Sequence, residues 1–434
     1  MTPASPSPPT GDATRRRVIV IGAGAVGVAS AWALRRQGHA VTLIERDEPG
    51  RACSFGNAGV ISECSVVPMP GPELLRQVPR WLLNPLNPLA VRPAYLPRLT
   101  PWLLRFLAAC RGNQQTIGAR AMAPLCRDAV TAWRAMADEA GLGDLLQTRG
   151  WLHLYLSDTA FQRGRRRRAL ERELGVRLEE LGGNAVRDLE PALATTVRHG
   201  VLYPDSGHVL SPYRLVSGLA ERFVASGGVL LQGEAVDIRK TPDAAAALSV
   251  HLADGSRHAA DTVVLAAGAW SGALARRVGA PVPLESERGY HLHLPRPAVA
   301  LNRGIVHGEG GFAVTPMMDG LRIAGTAEFA SLSAAPNWNR TAPLAAGAAA
   351  LLPGLDLSDA SRWMGHRPST ADFLPVIAPS ARLPGLIFNF GHQHLGLTLA
   401  AVSAGLVAAL VAGTPPTVDL KPFRPERFAA ARAA

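Results

Sequence analysis

A strand, a glycine-rich turn and a helix follow one another near the start of the chain, and this succession constrains the fold more than any other feature. An apolar run over residues 18–21 leads into the turn Gly22-Ala-Gly24-Ala-Val-Gly27, a helix-forming run follows, and a second apolar run ends at Glu45. This order is typical of a βαβ unit that binds a dinucleotide. The sequence therefore predicts a flavin or nicotinamide site.

Each glycine of the turn has a separate physical task. Gly22 permits the tight turn out of the strand, Gly24 lets backbone amides approach a pyrophosphate, and Gly27 lets the helix pack close to the sheet. Glu45 lies 18 residues after Gly27, where its carboxylate can accept hydrogen bonds from both ribose hydroxyls. The same carboxylate repels a 2′-phosphate, so the pattern favours FAD or NAD over NADP.

Length and cysteine content narrow the class of protein. A chain of 434 residues with 47% hydrophobic residues predicts two domains with ample apolar material to bury. The first 14 residues lack the apolar segment of a secretion signal. The cysteines, which show neither CxxC pairing nor metal-ligand spacing, are Cys53, Cys64, Cys110 and Cys126. We therefore expect reduced thiols, a cytoplasmic protein and no structural metal.

Two features of the sequence are compatible with a contact between the protein and a membrane. The formal net charge is +11, with a basic run over residues 163–168 that predicts either a solvated helix face or an attraction to anionic lipid headgroups. Residues 68–111 are dense in Pro, Leu and Trp and predict short helices broken by prolines, either covering the active site or touching a membrane or quinone. No aromatic interleaving or nucleic-acid motif accompanies the basic run, so no nucleic-acid partner is expected.

Periodicity predicts the remaining elements. Residues 150–156 predict a strand and 159–180 a charged helix with a turn at Gly175, whereas 281–364 alternate as antiparallel strands do. The apolar segment 395–413 predicts a buried helix rather than a membrane span, because it is rich in small residues. Other predicted elements are a helix at 211–223, strands at 229–231, 248–252 and 262–265, and a hairpin turn at Asp254-Gly255.

These elements predict an α/β fold: a Rossmann-like cofactor domain and a second α+β domain with a mainly antiparallel sheet. We assign residues 16–75, 195–280 and 365–420 to the first domain and 76–194 with 281–364 to the second, with tails at 1–15 and 421–434.

Several longer motifs recur together in one protein family. They are Ser54-Phe-Gly-Asn57-Ala58-Gly59-Val-Ile-Ser62, Arg288-Gly-Tyr290, Gly325-Thr-Ala-Glu328, Trp363-Met-Gly-His-Arg367-Pro-Ser-Thr and Asn389-Phe-Gly-His392-Gln-His394-Leu-Gly396-Leu-Thr398. From about Arg16 to about Pro416 the chain resembles the glutathione-reductase-type flavoproteins of the D-amino acid oxidase superfamily, and most closely the bacterial FAD-dependent D-amino acid dehydrogenases.

The resemblance implies FAD and a set of cofactor residues. It implies Glu45 and Arg46 near the adenosine, the loop of Ser54, Asn57, Ala58 and Gly59 near the ribityl chain and isoalloxazine, and backbone contacts from Val236 to adenine. Gly268, in a turn of small residues, is also predicted to bind the cofactor. Gly391 through Thr398 would cap the flavin pyrimidine ring, and the helix amides at Gly396, Leu397 and Thr398 would favour the negative charge of reduced flavin.

The same resemblance implies three residues at the substrate. Arg367 corresponds to the arginine that pairs with the substrate carboxylate, although an arginine here could instead belong to a structural ion pair. Tyr290 would donate a second hydrogen bond to that carboxylate and His392 would lie beside the flavin, or each is an ordinary buried polar residue. His291, His293, His366 and His394 are expected to be structural. Residues 63–68 depart from the family pattern where the substrate pocket is shaped.

The resemblance implies oxidative deamination of D-amino acids to 2-oxo acids and ammonia, by hydride transfer to flavin N5. Electrons would pass to a quinone or respiratory acceptor, which suits a peripheral protein on the cytoplasmic face of the inner membrane. An oxidase or dehydrogenase of glycine, sarcosine or a cyclic imino acid such as D-proline or D-hydroxyproline is the enzymatic alternative. A non-catalytic flavin- or nucleic-acid-binding protein is the alternative from another class.

Overall fold

A computed structural model describes residues 15–72, 89–241 and 247–429. The strands, numbered in chain order, are β1 (Arg17–Ile21), β2 (Ala40–Glu45), β3 (Val60–Ile61), β4 (Leu89–Val91), β5 (Leu146–Gln147), β6 (Trp151–Tyr155), β7 (Glu179–Gly182), β8 (His199–Tyr203), β9 (Gly207–Val209), β10 (Val229–Gln232), β11 (Ala235–Lys240), β12 (Leu248–Leu252), β13 (Arg257–Ala260), β14 (Thr262–Leu265), β15 (Leu284–Leu294), β16 (Gly304–His307), β17 (Phe312–Met317), β18 (Gly320–Phe329), β19 (Ser361–Thr370), β20 (Val376–Pro379) and β21 (Leu386–Phe390).

The α-helices alternate with groups of these strands along the chain. In chain order they are α1 (Ala25–Arg36), α2 (Leu96–Ala109), α3 (Gln114–Arg127), α4 (Ala129–Glu139), α5 (Asp158–Arg163), α6 (Arg165–Glu173), α7 (Gly183–Leu189), α8 (Pro212–Ala225), α9 (Ser271–Arg277), α10 (Ala342–Leu351) and α11 (Gly396–Ala412).

The first sheet contains the predicted βαβ unit. Its strands run in the order β10-β2-β1-β14-β21-β20, and all neighbours are parallel except β20 and β21. Because β1, β14 and β21 come from distant parts of the sequence, the sheet is assembled from three separate segments. Helices α1, α8 and α11 pack together on one face and share a core with β1 and β2. The α/β fold class with a Rossmann-like cofactor domain is confirmed.

A second, larger sheet runs in the order β19-β15-β18-β17-β16-β6-β8-β7, with β4 added beside β18. The strands from the segment 281–364 are antiparallel to one another, as predicted. Parallel pairs occur where β16 meets β6 and where β18 meets β4. Two smaller sheets, β11-β12-β13 and β3-β9-β5, complete the fold. The domain boundaries given above remain a prediction.

Several predicted elements needed correction. The charged helix over 159–180 divides into α5 and α6 at Gly164, and residues 179–182 form strand β7 instead. The basic run is not a solvated face throughout, because Arg168 is only 2% exposed. Helix α2 continues through Pro101 rather than breaking there, although residues 73–88 of the same predicted segment lie outside the described residues.

The C-terminal prediction was also wrong in part. Residues 421–429 are packed rather than a tail, since Phe423 is buried and the Arg427 guanidinium lies 2.7 Å from the Asp372 carboxylate. The predicted N-terminal tail, apart from residue 15, and residues 430–434 lie outside the described residues.

Helix α11 is the apolar segment that the sequence left to be distinguished from a membrane span. Within the described part of the chain, the stretch Gln393–Ala412 is the one helix long and apolar enough to cross a bilayer, and 67% of its apolar 18-residue window is buried inside the protein. Gly413 ends the helix in the left-handed conformation with φ of 71°. The helix packs against α1 and α4, which supports its prediction as a core helix.

Candidate functional site: two adjoining cavities

A cavity of about 310 Å³ opens at the carboxyl ends of the parallel strands, around the glycine-rich turn. In an open α/β sheet this edge is where ligands bind. Of the predicted cofactor residues, those that line it are Gly22, Gly24, Glu45, Arg46, Ser54, Asn57, Val236, Gly268, Gly391, Gly396 and Leu397. The cofactor cavity, as we call it, thus brings together residues from four distant parts of the sequence.

The glycine turn has no room for side chains at two of its positions. Gly22 has φ of +101°, and a Cβ there would lie 2.6 Å from the Ala266 carbonyl oxygen. A Cβ at Gly27 would lie 1.7 Å from the carbonyl oxygen of Gly22. Gly24 is different, because the nearest atom to a Cβ there, the Ser54 Oγ, is 3.5 Å away. The space beside Gly24 is therefore left for a ligand, whereas Gly27 shapes the turn without lining the cavity.

The end of β2 provides a polar and an aromatic wall. The Glu45 carboxylate accepts hydrogen bonds from the backbone N–H groups of Ala23 (2.6 Å) and Arg46 (2.9 Å), which fixes the carboxylate against the turn. The Arg46 guanidinium lies 3.9 Å from the centre of the Trp270 ring. This cation–π pair supplies a flat surface beside the cavity.

The asparagine loop closes the opposite side. Ser54 Oγ accepts a hydrogen bond from the Ala25 N–H at the start of α1, and Asn57 Oδ1 accepts one from the Gly59 N–H at 2.8 Å. Gly59 itself lines neither cavity; its φ of +76° lets its carbonyl oxygen meet the Val209 N–H of β9. Gly59 therefore shapes the loop, and its predicted contact with the cofactor is corrected to an indirect role.

The N-terminus of α11 forms the floor. Thr398 Oγ1 donates to the Val60 carbonyl and accepts from the Ser62 N–H, so it anchors β3 to the helix. His392 Nε2 and Asn389 Oδ1 are buried and have no hydrogen-bond partner among the described residues. Both residues line the cofactor cavity. Two unpaired polar atoms at this wall are what a flavin with its own donors and acceptors would satisfy.

The imidazole of His392 is neutral at physiological pH. Burial lowers its pKa from 6.5 to about 3. His392 therefore lines the cofactor cavity, and its lowered pKa favours a neutral imidazole there rather than a cation.

A larger cavity of about 530 Å³ adjoins the first, and we call it the substrate cavity. Cys53, Asn57 and Gln393 line both cavities, so the two lie side by side. Apolar residues of α2, β4 and β18 cover one side of it, and Ala58 and Thr398 lie at its cofactor end. A flavin whose adenosine lies at Glu45 would extend its ring into this space, which fits the residues present.

Arg367 lies in the wall of the substrate cavity and already has protein partners. Its Nη1 donates to Glu287 Oε1 at 3.0 Å and to the Thr326 carbonyl oxygen at 2.8 Å. Glu287 is fixed in turn by a hydrogen bond from Ser369 Oγ. A Cβ at Gly289 would lie 2.2 Å from Arg367 Nη2, so this glycine makes room for the guanidinium. Arg367 therefore belongs to an ion pair and also lines the cavity, and its pairing with a substrate carboxylate remains a prediction.

The hydroxyl of Tyr290 is hydrogen-bonded to buried protein groups. Its hydroxyl donates to Glu328 Oε2 at 2.5 Å and accepts from the Asn337 N–H at 3.0 Å. Glu328 also lies 3.0 Å from the Arg92 guanidinium. Since a phenol has one proton to donate, the predicted hydrogen bond from Tyr290 to a substrate carboxylate is corrected: Tyr290 lines the substrate cavity, but its hydroxyl proton is committed to Glu328.

Sequence reasoning missed several residues of the substrate cavity. Glu287 and Arg167 line it, although the basic run of Arg167 was expected to be a solvated face or to attract lipid headgroups. Gln393 and His394, from the segment that was expected to cap the flavin, also line it, although His394 was expected to be structural. Burial lowers the pKa of His394 to about 4. Gln393 adopts φ of +51°, unusual for a residue other than glycine. An isolated Glu in a β pattern and one arginine in a basic run carry no local signal of this role.

Comparison with known proteins agrees with this geometry. The family model described as DAO, FAD dependent oxidoreductase, matches residues 17–410. A D-amino-acid oxidase of Bradyrhizobium diazoefficiens is 38% identical over 95% of this chain and 99% of its own length. The D-amino acid dehydrogenase 2 of Ralstonia nicotianae is 33% identical over 94% of this chain and 99% of its own.

A solved structure shows the same fold. Glycine oxidase from Geobacillus kaustophilus superimposes with a TM-score of 0.76 and 23% identity, over 96% of this chain and 100% of that one. At this identity the likeness concerns the fold alone.

Proposed function

Because this chain belongs to the DAO family of FAD-dependent oxidoreductases, we propose that it oxidises D-amino acids to 2-oxo acids and ammonia and passes the electrons to a quinone or another respiratory acceptor. The observation that carries the proposal is the position of Arg367, which lines a substrate cavity that shares wall residues with the cofactor cavity. The names of the relatives support the D-amino acid as substrate.

FAD supplies the acceptor for the hydrogen that leaves Cα with its electron pair. The task of the protein is then to orient the substrate. The planar fork of Arg367 presents parallel donors to a carboxylate, and its bonds to Glu287 and Thr326 hold the fork in place. With the carboxylate fixed, the neighbouring C–H bond can be directed at the cofactor end of the cavity.

Proton chemistry makes modest demands on the site. The substrate ammonium loses one proton before oxidation, and water then hydrolyses the imine to the 2-oxo acid and ammonia. Burial lowers the pKa of His394 to about 4, so this imidazole is neutral and adds no positive charge beside the ammonium. No base strong enough to remove a proton from Cα is needed, because that hydrogen leaves as a hydride.

The size of the substrate cavity favours side chains larger than hydrogen. Even with part of its 530 Å³ taken by the flavin ring, the cavity extends along α2 past Trp102 and Phe106. Glycine or sarcosine would leave this apolar extension unfilled, and apolar contact is a main source of ligand affinity. We therefore prefer amino acids with a side chain to the alternatives.

The dehydrogenase names of several relatives support an electron acceptor other than oxygen, whereas the 38% identical relative is named an oxidase. The surface of α2 supports a quinone or respiratory acceptor at a membrane. Leu104 is 63% exposed and Leu96 38% exposed, with exposed Arg98 and Arg105 on the same helix. Apolar and cationic side chains together suit the surface of an anionic bilayer. We accordingly propose a peripheral position on the cytoplasmic face of the inner membrane.

Anaerobic mixing of the FAD-loaded protein with matched D- and L-amino acids tests the activity. We expect D-isomers to bleach the flavin absorbance and L-isomers to leave it unchanged. Bleaching by glycine, sarcosine or cyclic imino acids alone would favour the alternative substrates. A flavin that stays oxidised with every amino acid would overturn the proposal, and turnover with a quinone or dye compared with oxygen decides the acceptor.

A further inference from the structure

One arginine of the basic run faces the substrate cavity. Arg167, on α6, lines the cavity, and half of its side-chain surface (50%) is accessible. Its Nε donates to Glu171 Oε1 at 2.8 Å, whereas Glu171 itself is only 1% exposed. In this ion pair the Arg167 side chain is accessible, whereas the Glu171 carboxylate is buried.

Arg168, the next residue of the basic run, is buried and has a structural role. Arg168 donates from Nε to Glu180 at 3.1 Å and from Nη1 to the Phe161 carbonyl oxygen at 2.9 Å, and it is 2% exposed. Arg168 therefore holds α6 to the preceding helix and to β7. Arg167 uses Nε for Glu171, and its Nη groups make no hydrogen bond to another described residue, so they are available to a ligand in the cavity that the residue lines.

The anchoring of Arg167 resembles that of Arg367. Glu171 Oε2 accepts a hydrogen bond at 2.8 Å from the Tyr203 hydroxyl, as Glu287 accepts one at 2.8 Å from Ser369. Each guanidinium is thus held by a buried carboxylate whose second oxygen is fixed by a hydroxyl. Such anchoring keeps a long side chain in one orientation and reduces the entropy lost when a ligand binds.

The charge of the cavity favours an anion. Among the described lining residues the charged ones are Arg167, Glu287 and Arg367, so the formal sum is positive. Burial opposes the charge of Arg167, but the Glu171 carboxylate outweighs it and raises the pKa of the guanidinium. His394 experiences the positive charge of both Arg367 and Arg167, which places its imidazole within electrostatic range of each.

We propose that Arg167 binds a carboxylate at the end of the substrate side chain, so that the preferred substrates are D-amino dicarboxylic acids such as D-aspartate and D-glutamate. Arg367 would hold the α-carboxylate and Arg167 the distal one. This inference rests on the proposed oxidation of D-amino acids and adds the class of side chain. The apolar wall along α2 would contact the methylene groups.

A chain-length series on the native FAD-loaded protein tests the proposal without any substitution. D-aspartate, D-glutamate and D-2-aminoadipate are compared with the uncharged D-asparagine, D-glutamine and D-norvaline by the rate of anaerobic flavin bleaching. We expect kcat/KM for the best dicarboxylate to exceed that of its amide by about 10- to 100-fold, as for one charge-assisted interaction. Equal values for acid and amide would overturn the inference.

Substitutions of Arg167 test whether this residue is responsible for the preference for dicarboxylic substrates. Arg167→Met should raise KM for the dicarboxylate by about 10-fold or more with little change in kcat, while KM for D-norvaline stays the same or falls. Arg167→Lys should recover part of the loss, because it retains the charge without the fork. Arg166→Met is the matched control: this exposed neighbour on α6 is not among the residues that line the cavity.

A binding measurement separates this inference from the proposed function. Glutarate, which cannot be oxidised as an amino acid, should perturb the flavin spectrum at lower concentration than butyrate, and Arg167→Met should abolish the difference. If D-amino acids bleach the flavin without preference for acids, the inference fails and the proposed function stands. If no D-amino acid bleaches it, the proposed function fails, and equal binding of glutarate and butyrate would then reject the role of Arg167 as well.

Discussion

The Nη1 of Arg367 lies 3.0 Å from Oε1 of Glu287, so the cation that faces the substrate cavity has an internal carboxylate partner before any ligand arrives. Glu287 is 4% exposed and is further fixed by Ser369. A substrate carboxylate must therefore share this arginine with a fixed negative charge. The pair orients the guanidinium, and it also moderates the attraction that the guanidinium exerts on the ligand.

Replacement of Arg367 tests the anchor directly. Arg367→Ala should raise KM for a D-amino acid by about 10- to 100-fold, because a charge-assisted interaction with the carboxylate is lost. Arg362→Ala, an exposed position on the same strand, should change KM little. Steady-state kinetics with FAD-loaded protein provide the measurement, and unchanged kinetics in Arg367→Ala would eliminate the anchor.

Replacement of Glu287 should act in the opposite direction on binding. Glu287→Gln retains a hydrogen-bond acceptor for Arg367 but removes the competing charge, so we expect a lower Kd for butyrate by spectral titration. The same change leaves the cation less compensated, and loss of one partner of a buried pair costs about 3–5 kcal/mol at most. Thermal unfolding should therefore show a lower Tm. Weaker butyrate binding in this variant would contradict the competition between the two carboxylates.

Gly24 and Gly27 should respond differently to a methyl group. Gly24→Ala should fold and yet bind FAD weakly, because the added Cβ has room in the protein but enters the space for the pyrophosphate. Gly27→Ala should unfold at lower temperature, since its Cβ would overlap the Gly22 carbonyl. FAD content and Tm are compared with Gly405→Ala, an exposed helical position with no atom within 4 Å of the added Cβ. Equal FAD content in all three variants would contradict the assigned roles.

Stability should decline in acid through buried histidines. Burial lowers the pKa of His392 from 6.5 to about 3, so between these values the unfolded chain binds a proton that the folded chain does not. The free energy of unfolding is therefore retained above pH 6.5 and falls as the pH decreases toward 3, by about 1.4 kcal/mol per pH unit for each such group. His392→Gln should reduce this slope in urea titrations of the apoprotein, whereas His258→Gln on the β12–β13 hairpin serves as the control. An unchanged slope in His392→Gln would contradict the neutral state of His392.

The exposed face of α2 yields a test of the membrane proposal. Leu104, which is 63% exposed, should contribute to binding of anionic vesicles, and Leu104→Glu should reduce the fraction that sediments with them. Val229→Glu is the control, because Val229 is similarly exposed (54%) on the distant edge strand β10. Equal sedimentation of both variants and the native protein would remove α2 from the contact.

The cofactor half of the site could be predicted because its signals are local. Turn glycines, the flanking strands and Glu45 lie within about one βαβ unit, and their spacing alone fixes which backbone atoms meet. Motifs further along, such as that of Asn57 and that of His392, entered through resemblance to a family. The structure adds that Gly27 and Gly59 act by shaping backbone rather than by lining the cavity.

The substrate half could not be predicted in the same way, because its walls come from elements whose packing the sequence does not display. Arg167 and Arg168 are adjacent in the same basic run, yet Arg167 lines the cavity and Arg168 is buried against Phe161. Which arginine lines the cavity depends on the helix break at Gly164 and on the packing of α6 beside Tyr203 of β8. Tyr290 was assigned from its motif, and only the position of Glu328 across the sheet shows where its proton goes.

Cys53, Asn57 and Gln393 line both cavities, so the cofactor and the amino acid share three wall residues. A displacement of these residues by a bound cofactor would change the shape of the neighbouring chamber. We therefore expect occupancy of one cavity to alter the affinity of the other, with these three positions as the mechanical link.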